Sequence, residues 1–92
     1  MLTPIRSTKF KRDWKKAVKR GHDMEALRNV MERLAKQERL ERRYVDHKLS
    51  GKNIGRRCCH VEPDLVLIYK PDIENNEIIF ERLGSHADLF GM

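Results

Sequence analysis

The architecture of this chain turns on His60-Val61-Glu62-Pro63-Asp64-Leu65-Val66-Leu67-Ile68-Tyr69-Lys70. Residues 65–69 form an unbroken apolar and aromatic run, bracketed by Pro63-Asp64 and by Lys70-Pro71-Asp72. A run this short, closed by turn residues on both sides, reads as a buried strand and is far too short to span a membrane. Pro63 has a fixed φ suited to the second position of a turn, so the spacing predicts that residues 58–61 fold back antiparallel on 65–69 and bring His60 close to Asp64 and Leu65. An imidazole and a carboxylate at the rim of a strand suit proton transfer, and they equally suit a solvated turn.

Downstream, the polar stretch 72–76 predicts a second turn and Ile78-Ile79-Phe80-Glu81-Arg82-Leu83 a third strand, with 65–69 in the middle because it is apolar throughout. Upstream, Phe10, Trp14, Ala17 and Val18 recur at helical spacing while Lys11, Arg12, Lys15, Lys16 and Lys19 fill the other positions. Ser7 or Thr8 caps this helix and Gly21 ends it. Asp23 caps a second helix whose apolar face is Met24, Leu27, Val30, Met31 and Leu34. The short link Arg20-Gly21-His22, with His22 in solvent, predicts an antiparallel helix pair covering one side of the sheet. Leu2 to Arg6 can add a strand, and Leu89 and Phe90 can dock the tail that carries His86. The expectation is a single α+β domain over residues 1–92, with two N-terminal amphipathic helices packed on a small, mainly antiparallel sheet.

The formal charge of +6 is unevenly spread: residues 1–57 hold 18 Lys and Arg against 7 Asp and Glu, and residues 58–92 hold 2 against 7. Such asymmetry predicts a positive face and a polyanion or acidic protein as partner. Residues 38–57 are the densest basic stretch and lose the helical period. Lys48, Lys52, Arg56 and Arg57 are candidate phosphate contacts there, Tyr44 offers an aromatic surface for a base, and Leu40, Leu49 and Ile54 are expected to hold the loop to the core. Cys58 and Cys59 are adjacent, which suits neither a disulfide framework nor a zinc site, so at least one is read as a small buried hydrophobe. No long apolar segment and no signal-peptide pattern occur, and a soluble cytoplasmic protein is expected.

No nucleotide-binding glycine loop, H-E-x-x-H, zinc-finger spacing or helix-turn-helix signature is present. The residues left to carry chemistry are His47, His60, Asp64 and His86, with Arg56, Arg57 and Arg82 near them in sequence or on neighbouring strands. Imidazoles titrate near neutrality, and with a basic surface they suggest phosphodiester cleavage in RNA: a base deprotonates a 2′-OH, arginines stabilise the phosphate, and an acid protonates the leaving 5′-oxygen. A three-histidine metal site is the competing chemistry, but the intervals of 13 and 26 residues between the histidines carry no metal signal.

At these positions the chain resembles a known family. Asp46-His47-x-Leu49-x-Gly51, His60-Val61-Glu62-Pro63-Asp64-Leu65-x-Leu67-Ile68-Tyr69 and Arg82-x-Gly84-x-His86-x-x-Leu89-Phe90 together look like the bacterial YafQ toxins, a branch of the RelE/ParE superfamily. The resemblance runs nearly end to end. It implies a RelE-like fold and a toxin of a type II toxin–antitoxin system that cleaves translated mRNA in the A site of the 70S ribosome, with no metal or organic cofactor. By position it implies functional roles for His47, His60, Asp64, His86 and Phe90. It further implies a 2′,3′-cyclic phosphate product and a cognate ribbon-helix-helix antitoxin whose acidic tail covers the basic surface and which links the toxin to operator DNA. The chain departs from the pattern at Leu65, where a family member carries a Trp able to stack on a base, and an altered codon preference is expected. A gyrase-directed ParE-like toxin, a non-catalytic co-repressor and a general RNA-binding domain remain as alternatives on the residues alone.

Overall fold

The computed structural model describes residues 1–91. Five strands form one sheet in the order β1-β5-β4-β3-β2, where β1 is Thr3–Arg6, β2 His47–Lys48, β3 Arg57–Glu62, β4 Leu65–Asp72 and β5 Glu77–Gly84. All neighbours are antiparallel except β1 and β5, which run parallel. β4 takes the middle place expected of it, and Leu65 to Tyr69 are all buried because the strand is covered on both faces. It continues through Lys70-Pro71-Asp72, the residues expected to bracket it. Pairing with β3 ends at Arg57↔Tyr69, so Pro71 lies where one side of β4 is an open edge and a missing N–H is tolerated.

α1 (Thr8–Lys19) and α2 (Met24–Ala35) start where their caps require: the Ser7 side chain accepts the Phe10 N–H, and that of Asp23 accepts the Ala26 N–H. Phe10, Ala17, Leu27, Val30 and Leu34 join Cys59, Leu65, Leu67, Tyr69, Ile78, Phe80 and Leu83 in one hydrophobic cluster. Burial of that set removes the apolar stripe of each helix and one face of the sheet from water, the dominant stabilising term. Val18, read as part of the buried stripe, is exposed, and Asp13 is buried in its place.

The buried Asp13 has a specific task. β1 stops at Arg6, opposite Phe80, leaving the second half of β5 without a strand on that side. α1 covers that edge: the Ser7 hydroxyl donates to the Glu81 carbonyl at 2.8 Å, and Asp13 Oδ2 accepts the Leu83 N–H at 2.9 Å and Arg82 Nε at 2.8 Å. Backbone groups that would otherwise invite another strand are thereby satisfied.

Between α2 and β3 the basic stretch holds two short 3-10 turns, Arg42–Tyr44 and Gly51–Asn53, with β2 between them. Leu40 is buried as expected, but Ile54 is 77% exposed and does not hold the loop to the core. The tail is a helix, α3 (His86–Phe90), where the sequence suggested only docked residues. Ser85 and Asp88 form a capping box, and Gly91 ends the helix at φ 71°.

Candidate functional site

A strand sends successive side chains to opposite faces, and this alternation sorts the candidates. Cys59, Leu67 and Leu83 pair across β3, β4 and β5 on the helix-covered face, so Cys58, His60, Val66 and Ile68 lie on the other. His47 on β2 pairs with Cys58 and belongs to that second face. α3 crosses it, and the i,i+4 spacing of His86 and Phe90 puts both rings on one side of the helix. The His60 and His86 ring centroids are 5.0 Å apart and those of His86 and Phe90 5.6 Å. Three imidazoles and a phenyl ring from three separate parts of the chain therefore meet above Val66 and Ile68.

The electrostatics of the cluster differentiate its members. Partial burial, then the neighbouring His86 and His47 rings, hold His60 below the ordinary imidazole pKa, so it is neutral near pH 7. His47 Nδ1 lies 2.6 Å from the Val45 carbonyl, which can only accept. In neutral His47 the proton is thus on Nδ1, and Nε2 is left as an acceptor. Val45 holds φ 49°, a left-handed conformation unusual for a β-branched residue, and the turn is fastened one residue later. Asp46 Oδ1 accepts from the Tyr69 hydroxyl at 2.6 Å and from Arg57 Nε at 3.3 Å. Burial and the Asp46 carboxylate push the Tyr69 phenol far above its usual range, which keeps it a neutral donor. Asp46 and Tyr69 fasten the turn that carries His47, and sequence reasoning named them only as members of the quoted blocks and not as site residues.

Several candidates fall outside the cluster. Leu65 is 0% exposed within the helix-side core and presents no surface to a substrate, because it alternates with Val66. Arg57, paired with Tyr69, lies on the helix-side face in the Asp46 network, and the register puts Lys48 on that same face. Tyr44 packs against the core with the Arg43 guanidinium 4.8 Å over its ring, so its aromatic surface is already covered. Arg56 is paired with Glu81, its Nε 2.6 and 2.7 Å from the two carboxylate oxygens, and Arg82 with Asp13. Lys52 is exposed on the rim of a groove of about 690 Å³ that runs from Phe90 across Ile68 and Ile79.

Asp64 is 76% exposed on the Pro63-Asp64 turn, and its nearest imidazole is His22, at 4.0 Å. His22, expected in solvent, has a side chain only 10% exposed, with Nδ1 3.1 Å from Glu62 Oε1. The same Glu62 oxygen accepts the Asp23 N–H at 3.1 Å, so the link between the helices is tied to the end of β3. Glu62 can reach that link because the ladder slips between His60 and Glu62, leaving Val61 as an extra residue. His60 consequently pairs with Val66 and turns away from Asp64, contrary to the closeness expected from the sequence. Among the described residues, the donor atoms of His22, Glu62 and Asp64 come within 4.8 Å of one another and could hold a metal ion. Both cysteines are buried, Cys59 in the core and Cys58 beneath the histidines, and burial raises the Cys58 thiol to about 11, which keeps it unreactive.

Known proteins are similar to this chain over most of its length. The chain is 43% identical over 86 residues to the mRNA interferase toxin YafQ of Escherichia coli strain K12, covering 92% of this chain and 91% of that one. Among solved structures, a metal-bound toxin from Helicobacter pylori superposes with a TM-score of 0.92 at 42% identity, over 98% of this chain and 100% of that one. A chain of the E. coli DinJ-YafQ complex superposes at 0.88 and 40% identity, over 99% and 100%. The family described as the bacterial toxin of type II toxin-antitoxin system, YafQ, matches residues 2–91. The chain belongs to the YafQ family of type II toxins.

Proposed function

We propose that this protein is an mRNA interferase that cuts translated mRNA in the ribosomal A site by general acid–base catalysis. The observation that carries the reading is the pair His60 and His86, with ring centroids 5.0 Å apart on the sheet face opposite α1 and α2, and with His60 held neutral by its surroundings. Two imidazoles at that separation can flank one phosphodiester. Neutral His60 takes the proton of the 2′-OH, the 2′-oxygen bonds to phosphorus, the bond from phosphorus to the 5′-oxygen breaks, and His86 delivers a proton to that oxygen. The products are a 2′,3′-cyclic phosphate and a 5′-hydroxyl. His47, whose neutral Nε2 can only accept, is assigned to receive a hydrogen bond from a donor of the RNA beside the 2′-OH, and Phe90 to stack on an adjacent base. Asp64, turned toward His22, is left out of proton transfer.

The reading needs a neutralising partner. The mRNA interferase relative from E. coli and the solved DinJ-YafQ complex support a cognate antitoxin for this chain too. A ribbon-helix-helix antitoxin with an acidic segment fits the exposed Lys11, Arg12, Lys15, Lys16 and Lys19 of α1, and would couple the toxin to operator DNA.

In a purified translation reaction, wild-type protein is expected to cut mRNA only on ribosomes and to leave 5′-hydroxyl ends. His86→Gln should cut at least about 100-fold more slowly, the usual scale for removal of a general acid. Wild-type rates from His86→Gln would remove the acid assignment.

A further inference from the structure

The groove beside Phe90 is not used by the proton-transfer scheme. Its apolar floor is Ile68, Ile79 and Phe90, and Lys9, Lys52 and Lys70 stand on its rim. The three lysines come from separate elements: the first turn of α1, the 3-10 turn Gly51–Asn53 and β4. All three are exposed, and among the described residues none of them forms an ion pair. The groove's arginines differ in this respect, since Arg56 is held by Glu81 and Arg82 by Asp13. The first turn of α1 contains no acidic residue that would offset Lys9. Phe90 is common to the groove and to the histidine cluster, so a strand entering one continues into the other.

We infer that this groove binds the single-stranded RNA flanking the scissile bond, with backbone phosphates on Lys9, Lys52 and Lys70 and a base laid over Phe90 and Ile68. Mobile ammonium groups around an apolar floor match a flexible polyanion whose bases are unstacked, and they carry no base code, so the groove adds affinity with little sequence preference.

The inference rests on the ribonuclease reading, and one experiment separates the two. Single-turnover cleavage of mRNA on ribosomes is followed at rising toxin concentration and at several salt concentrations. The triple variant Lys9→Gln/Lys52→Gln/Lys70→Gln is expected to need at least about tenfold more toxin for half-maximal rate, with the saturating rate within about twofold of wild type. Its log–log salt slope should be shallower by about 2, because each single-strand phosphate that a lysine no longer neutralises takes about 0.7 from the slope. The corresponding triple Lys→Arg variant should restore both. An unchanged half-saturation and slope in the Gln variant, a fall confined to the saturating rate, or a loss confined to antitoxin binding would each overturn the groove assignment. Absence of cleavage by the wild type would instead strike at the ribonuclease reading itself.

Discussion

His60 shows how little separates a structural imidazole from a chemical one. Its ring is partly desolvated and faces two more imidazoles, so its pKa is depressed by burial first and by His86 and His47 next. Between that lowered value and the ordinary value near 6.5, the unfolded chain binds a proton that the folded chain refuses. Stability is therefore expected to fall as pH drops through the ordinary imidazole range toward the folded value, and thermal melts of His60→Gln should lose that part of the pH dependence. Cleavage should persist below the pH at which a free imidazole is half protonated, as a pH–rate profile would show. Leu65 makes the opposite case. It looked like a position of substrate contact, yet it is wholly enclosed, so Leu65→Ala should destabilise the fold by about 2–5 kcal/mol in urea unfolding. Alternation along the strand already held this information, since Leu65, Leu67 and Tyr69 share a face with the helices. Which face carried the histidines could not be read without knowing that Val61 bulges.

Among the elements, α3 holds two of the residues proposed for function, His86 and Phe90, in a helix of five residues. A helix that short has almost no intrinsic stability and depends on its capping box and on docking. Gly84 takes part, because a Cβ there would stand 3.0 Å from the Asp88 carboxylate that completes the box. Arg20 Nη1 ties the same carboxylate to the end of α1 at 2.6 Å, and with the Ser85 backbone it lowers the Asp88 pKa to about 2. Ser85→Ala should cost about 1 kcal/mol locally and reduce cleavage more than global stability, because His86 and Phe90 lose their orientation together. Comparing the cleavage rate with the melting temperature for that variant checks this. Asp13→Ala is expected to do the reverse in part: it leaves the Leu83 N–H and Arg82 without their acceptor and should lower stability by about 3 kcal/mol, visible in denaturant unfolding. The helices, their caps, the central strand and the hairpin were legible because periodicity and capping residues are local signals. β2, two residues long, and the helical form of the tail were not, since each depends on tertiary partners.

Across the molecule as a whole, the two sheet faces divide the work. One is closed by α1 and α2 and supplies the core; the other holds the histidine cluster and the lysine-rimmed groove. The charge split read from the sequence is bridged at two points, where C-terminal carboxylates bind N-terminal arginines: Glu81 with Arg56 and Asp88 with Arg20. Exposed cations outside those pairs lie along α1, in the stretch between Arg39 and Lys48, and around the groove. Convergence of His47, His60 and His86 is a property of the sheet order and was invisible in their spacing along the chain. Ribonuclease action by this cluster is tested most sharply by induced expression with and without the cognate antitoxin, with the 5′ ends of cellular mRNA mapped. New 5′-hydroxyl ends are expected at in-frame positions of translated messages, absent when the antitoxin is co-expressed and absent with His86→Gln. An unchanged set of ends on induction of the wild-type protein alone would contradict the proposed activity.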